Sequence, residues 1–297
     1  EVGEGHPLRS LLAGLDARTA HRMSLLPLSR DAVAQLAARA GRRAPGLYEA
    51  TQGNPFFVTE LLAAPHADPA VLPAAVRDAL LARVARLSPA ARDLLEALSV
   101  SPSALEYEVL HAVCGSDASA LAEVQASGLV QASESNLRFA HELARLAVAS
   151  ALGVRAPALH AALFDALSAH AAPLPRLVHH AEHAGLAHAV VQLAPRAALA
   201  AAQASAHRQA AALYAAALGH AEQLDRATEM QLAAAHSDEC LLTNQTDAAA
   251  RSRERALQLA RAGGDVRAEA VHLRVAARID WVRGRPVAGL VQAQEAI

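Results

Sequence analysis

Lysine is absent: all 27 basic residues of the 297-residue chain are arginine. A P-loop needs a lysine that reaches the β and γ phosphates, so no standard ATP-hydrolysing site is complete within this chain. Cysteine is scarce. Cys114 and Cys240 lie far apart, match no metal or redox spacing, and are expected as reduced core thiols. No apolar run approaches the roughly 18 residues that cross a bilayer, and the opening EVGEGHPLRS has neither the charged nor the apolar region of a signal peptide. A cytoplasmic location with no membrane partner is expected. The net charge of −2 gives no overall attraction for nucleic acid. Aromatics make up 3%, yet two of the four phenylalanines are adjacent in TQGNPFFVTELL, residues 51–62.

With 53% hydrophobic residues over this length, two or three domains are expected. The chain opens on Glu1 and closes inside the helix-like VAGLVQAQEAI, which reads as a piece of a larger protein. Residues 21–28, HRMSLLPL, suggest a strand or an extended lead-in. Ser29 is placed to cap a helix carrying Ala32, Val33, Leu36, Ala37 and Ala40, ended by Gly41. APGLYEATQ is a second short helix. Asn54 and Pro55 open a third, with Phe56 or Phe57 as its anchor.

From residue 73 the spacing predicts a helix lined by Val76, Leu80, Val84 and Leu87, then Ser88-Pro89 opening ARDLLEALSV. A third helix is read over Leu105, Val109, Leu110 and Val113, and a fourth capped by Asp117 and ended by Gly128. GLVQA and NLRFA, separated by SES, suit a hairpin. Helices followed by a hairpin and another helix outline a winged helix over 74–152. Beyond it the chain is alanine-rich and helical. Ala217-Leu218, Ala256-Leu257 and Ala296-Ile297 recur at spacings of 39 and 40. The breakers Ser205, Asn244-Gln245-Thr246 and Gly284-Arg285-Pro286 recur in phase. This is the mark of stacked helix pairs, TPR-like but with a longer period. The expected fold is mainly α, with a helical segment over 1–73, the winged helix over 74–152 and TPR-like α-α repeats over 153–297.

Little chemistry is visible. His141-Glu142-Leu143-Ala144-Arg145 begins like HExxH but places a cation at the second ligand position. His179 and His183 share a helical face, but no acidic or cysteine partner is spaced to complete a site. They read as packing or solvated histidines, and no metal is expected. No nucleophile elbow, paired carboxylates or glycine-rich loop occurs. ARDLLEALSV and ALEYEVLHAV, read as the second and third helices of the winged helix, carry Asp93, Glu96, Glu106 and Glu108 against Arg92 alone. Such a face repels DNA phosphate.

GNPFFVTELL, LPAAVRDALLARVARLSPAARDLLEALSV and SGLVQASESNLRFAHELARLAVASAL, in this order, resemble the latter half of the nucleotide-binding module of STAND ATPases. Within that class they are closest to the large ATP-binding LuxR-type transcriptional regulators. The resemblance implies that 1–73 is the helical lid after an ATPase core, followed by the winged helix and a sensor array. Gly53-Asn54-Pro55 matches the GxP motif, whose proline packs on adenine. Phe139-Ala140-His141-Glu142 looks like the Met-His-Asp motif, whose histidine meets the β-phosphate of ADP. Arg145, one turn further on, is left out of the implied site. ATP or ADP would then belong to the complete protein, and this chain alone is expected neither to hold nucleotide tightly nor to act as an enzyme. The ATPase core is the implied partner in cis, and an inducer or protein would sit on the array. DNA would be met only through a C-terminal helix-turn-helix that this chain lacks. The alternative is a helical-repeat scaffold for protein partners, with no nucleotide role.

Overall fold

The computed structural model describes residues 26–42, 46–63, 74–115 and 118–296. It is mainly α-helical, with one small three-stranded sheet among the described residues. The chain divides after Leu159 into two compact units.

In the first unit, α1 (Arg30–Arg39) starts at Ser29, whose Oγ accepts from the Ala32 amide as the sequence predicts. The helices α2 (Leu47–Thr51) and α3 (Pro55–Ala63) are joined through Gln52-Gly53-Asn54. Gly53 has φ +73°, and a Cβ there would lie 2.1 Å from the Leu28 carbonyl oxygen. The Leu28 amide donates to the Gly53 carbonyl at 2.8 Å, so one strand of backbone lies directly on another at this turn. Only glycine fits such an approach. The first part of HRMSLLPL lies outside the described residues. Its end, residues 26–28, is irregular.

After α4 (Ala74–Ala85), α5 (Pro89–Ser99) opens at Ser88, whose Oγ accepts from the Ala91 amide at 3.3 Å. Glu123, from α7 (Ala118–Ala126), accepts from both the Ser88 amide and its hydroxyl, at 2.8 and 2.5 Å. A residue from a distant helix thus completes this cap. The expectation of one helix from Leu105 to Val113 is corrected. Leu105–Glu106 form β1, and helix α6 begins only at Tyr107 and ends at Cys114. Leu105 pairs with Leu137 of β3 (Asn136–Phe139), which also pairs with β2 (Val130–Ala132) in the order β1-β3-β2. Two strand residues are too few to show an alternating pattern, and their leucine continued the helical spacing of α6. The cap expected at Asp117 lies outside the described residues.

The order α5-β1-α6-α7-β2-β3, closed by α8 (Glu142–Ala151), is that of a winged helix. It also moves the third helix from α6 to α7. That helix, ASALAEVQA, holds no basic residue, and its Glu123 is committed to Ser88. A DNA-reading role for it has no electrostatic support.

The second unit holds α9 (Ala156–Ala169) from His160 onward, α10 (Leu174–His183), α11 (Ala187–Gln203), α12 (His207–Leu218), α13 (Arg226–Leu242), α14 (Thr246–Gly263), α15 (Val266–Val282) and α16 (Pro286–Glu295). From α10 on, each packs chiefly against its neighbours in sequence. Five turns after α10 share one construction. Gly185, Ser205, Asn244, Gly264 and Gly284 all adopt positive φ. In each, the next amide reaches back to the carbonyl five residues earlier: Leu186 to Ala181, Ala206 to Ala201, Gln245 to Cys240, Asp265 to Ala260 and Arg285 to Asp280, at 2.8–3.1 Å. This is the Schellman closure, which satisfies carbonyls left open at a helix end. Ser205, Asn244 and Gly284 are the breakers read from the sequence, and further closures at Gly185 and Gly264 separate the helices between them. Alanines of α10–α12, among them Ala181, Ala194, Ala197, Ala198 and Ala210, line the buried seam.

Candidate functional site

The residues that the resemblance places at a nucleotide, Gly53, Asn54, Pro55 and His141, lie in the first unit. Asn54 caps α3, its Oδ1 accepting from the Phe56 amide at 3.1 Å. Gly53 is engaged by its own turn, its carbonyl taken by Leu28 and its amide 3.3 Å from Thr51 Oγ1. Pro55 is exposed at the first position of α3. The two phenylalanines divide: Phe57 is buried, while Phe56 is 45% exposed and extends the apolar surface beside Pro55. Of the anchors considered, Phe57 is the one in the core.

His141 is the N-cap residue of α8, and its backbone carbonyl accepts from Ala144 and Arg145. Its ring meets Phe57 edge-on, with centroids 5.5 Å apart. The structure therefore brings the helix that starts at Pro55 against His141, two positions separated by more than eighty residues of sequence. Gly53 and Asn54 act locally, in the turn and the cap.

At the start of α8 lies a cleft of about 360 Å³, lined by Glu49 of α2, by Gln52 just after it and by Arg138, Ala140, Glu142 and Arg145 from the winged helix, among others; Pro55 and His141 are not among its lining residues. The start of α8 gives this side a positive helix end that favours an anion. Arg145 is held by a fork: Nε and Nη2 donate to Glu142 at 2.9 and 2.6 Å, and Nη1 donates to the Ser99 carbonyl at 2.7 Å. An incoming phosphate would have to compete with Glu142 for this guanidinium. The same pairing explains the failed HExxH pattern, since a cation and its carboxylate fill the space of a second ligand and a base.

Two polar groupings in the second unit escaped the sequence reading, and a third was seen there only in part. Arg253 is buried and joins three helices, donating to Asp238 Oδ1 at 2.6 Å, to the Ala234 carbonyl at 3.1 Å and to His272 Nδ1 at 3.0 Å. Because arginine only donates, His272 Nδ1 must be the acceptor. Burial and then the Arg253 charge push the His272 pKa down. A charged cleft of about 420 Å³ on α14–α16 is lined by residues including Asp247, Arg251, Glu254, Asp280, Arg283 and Arg285. Part of its charge is internally matched, as Arg283 pairs with Asp247 at 2.6 Å.

The third grouping is histidine. His160 of α9 meets His179, His180 and His183 of α10, with ring centroids 5.6, 5.1 and 4.8 Å away. The sequence supplied only the i, i+4 pair; His160 comes from another helix, where no local spacing reveals it. Burial, then the neighbouring histidines, push His160 down to about 4 and His180 to about 3.

Both cysteines are free thiols. Burial, reinforced by Asp93 and Glu96, raises Cys114 to about 11, and burial raises Cys240 as well. Neither has the lowered pKa of a reactive thiolate. Among the described residues, no single helix is long and apolar enough to cross a membrane.

No family model matches the chain, and no curated protein matches it. Among solved structures, it aligns with that of a Signal Transduction ATPase with Numerous Domains (STAND) protein with a tetratricopeptide repeat sensor, from Pyrococcus horikoshii. The identity is 16% and the TM-score 0.38. The alignment covers 95% of this chain but only 55% of that one, so this chain spans about half its length. A score at that level does not establish a common fold.

Proposed function

We propose that this chain is the regulatory portion of a nucleotide-gated switch of the STAND class, from a LuxR-type ATP-binding transcriptional regulator. In this reading an ATPase core precedes it in the same polypeptide. Pro55 offers the adenine a rigid apolar face with no amide to satisfy. His141 donates an imidazole N–H toward the β-phosphate. ADP bridging core, lid and winged helix favours a closed state. An inducer on the helical array, with exchange to ATP, favours an open one. DNA is met through a separate C-terminal domain, and the complete protein is a slow ATPase switch to which this chain lends contacts and a sensing arm.

The observation that carries this reading is the Phe57–His141 contact, which joins the Pro55 helix to His141 beside a polar cleft. The residues fit the nucleotide in kind: an exposed proline beside an exposed Phe56 for a base, and a histidine at a helix N-terminus for a phosphate. The test begins with the coding sequence upstream, where GxxxxGK[ST] is expected. In the protein that contains it, Pro55→Ala and His141→Ala are each expected to weaken ADP binding at least tenfold. Lack of the motif, or unchanged affinity in both variants, overturns the reading.

A second reading, a helical-repeat scaffold without nucleotide, is favoured by one observation. Trp281, Val282, Val287, Leu290 and Val291 of α15 and α16 are exposed, an apolar face suited to a further helix pair or a protein partner. Unchanged ADP affinity in both variants would leave this as the better account.

A further inference from the structure

We propose that His160, His179 and His183 form a binding site for a divalent transition-metal ion of the zinc class, with its fourth coordination position open to solvent. One ligand atom from each of the three lies within 4.8 Å of the others. The ring centroids are 5.6, 4.8 and 4.4 Å apart. Three imidazoles bound to one tetrahedral ion, at zinc–nitrogen distances of about 2.0–2.1 Å, place their centroids about 5 Å apart. The rings already stand at this separation. His179 and His183 are the less buried two of the three.

Tautomers strengthen the case. His183 Nδ1 lies 2.8 Å from the His179 carbonyl, which can only accept, so Nδ1 carries the proton and the lone pair is on Nε2. His160 Nδ1 lies 3.0 Å from His180 Nδ1. When His160 donates in that pair, its Nε2 also presents a lone pair. Metal-ligating histidines characteristically donate their other nitrogen to an outer partner in this way. His180, almost fully buried, then serves to orient His160 and is not itself a ligand.

The donor set selects the ion. Three neutral imidazoles without a carboxylate suit zinc, copper, nickel or iron, and do not suit calcium or magnesium, which require oxygen ligands. Burial of His160 and the exposure of His183 make one side of the site protein and the other water, the arrangement of an open three-histidine centre. Arg176, on the same helix, adds its positive charge to the environment of His180, so neutral rings have to supply the affinity.

The test uses the 297-residue chain without a histidine tag, stripped by chelator and titrated with Co²⁺ and then Zn²⁺. Expected are one ion per chain, the visible bands of four-coordinate Co²⁺, and three imidazole nitrogens by zinc-edge X-ray absorption. His179→Gln and His183→Gln are expected to weaken binding at least tenfold, while His188→Gln, on the exposed part of α11, leaves it unchanged. Both ligand variants lie at the partly exposed side of the cluster, so the fold survives them. No stoichiometric uptake, equal uptake in all variants, or fewer than three imidazoles on zinc would overturn the site.

Discussion

In the first unit the largest fully buried side chains are leucines such as Leu95, Leu98, Leu105, Leu137 and Leu143, and the only buried polar residues among those described are Thr51, Ser99 and Ser101. Each of these hydroxyls donates to a carbonyl a few residues away, at 2.7–2.9 Å. In the second unit the buried seam is largely alanine, and the buried polar residues are His160, His180, Glu229, Ser237, Arg253 and His272. Their bonds run between helices: Arg255 Nε to Glu229 at 2.7 Å, Ser237 Oγ to the Ala249 carbonyl at 2.9 Å, and the Arg253 network. The difference follows from area. At about 0.8 kcal/mol per buried methylene, an alanine contributes about a quarter of what a leucine does. Helices joined by alanine pack closely but gain little, and directional polar bonds then fix which neighbour meets which. The first unit is held by apolar bulk and local caps, the second by backbone closures and interhelical polar contacts.

Breaking the polar tie should have the largest effect. Arg253→Ala strips the donor from Asp238, the Ala234 carbonyl and His272 together, and is expected to cost about 3 kcal/mol. Urea unfolding measures this, and hydrogen exchange should place the loss in α13–α15. Arg253→Met, which keeps bulk but has no donor, should still cost most of this; a nearly neutral Arg253→Met would assign the role of Arg253 to packing alone.

In the first unit the sensitive point is backbone contact. Gly53→Ala forces a methyl into the Leu28 carbonyl at positive φ and is expected to cost about 2 kcal/mol or more in thermal unfolding.

Acid should separate the units. The folded pKa values of His160, His180, His236 and His272 all lie below the ordinary 6.5, with burial as the first cause. Between the folded and unfolded values the unfolded chain binds more protons, so stability rises with pH there. Their contribution is complete above about 6.5 and is lost progressively on acidification. In the first unit Glu49 and Glu123 are shifted down from 4.5, chiefly by hydrogen bonds. Their contribution is present above 4.5 and is lost only as the pH falls below it. Amide protection, taken relative to the intrinsic exchange rate at each pH, is therefore expected to fall in the second unit first between pH 6.5 and 5; a uniform fall would break the distinction.

The smallest effect is a gain. Ser205 closes its turn in the left-handed region that glycine occupies at Gly185, Gly264 and Gly284. Ser205→Gly is expected to stabilise by about 1 kcal/mol, read as a raised melting temperature.

Much of the fold was legible in residue spacing. Ser29, Ser88 and Asn54 cap the helices they were expected to cap, the hairpin forms where GLVQA and NLRFA predict it, and the breakers at Ser205, Asn244 and Gly284 close helices. Each of these depends on neighbours within a few residues. What was hidden depends on distant ones. Leu105 joins a strand because Leu137 waits opposite it, Glu123 completes a cap on another helix, and His160 reaches the histidines of α10 across a turn. At the candidate nucleotide site, motif resemblance selected Pro55 and His141. Their connection through Phe57 is a tertiary contact that no local spacing encodes.

The most direct test of the proposed switch is ADP affinity in the protein that includes the upstream segment, compared with its Pro55→Ala and His141→Ala variants. At least tenfold weaker binding in each is the predicted result. Unchanged affinity in both would contradict a nucleotide role for the lid and winged helix.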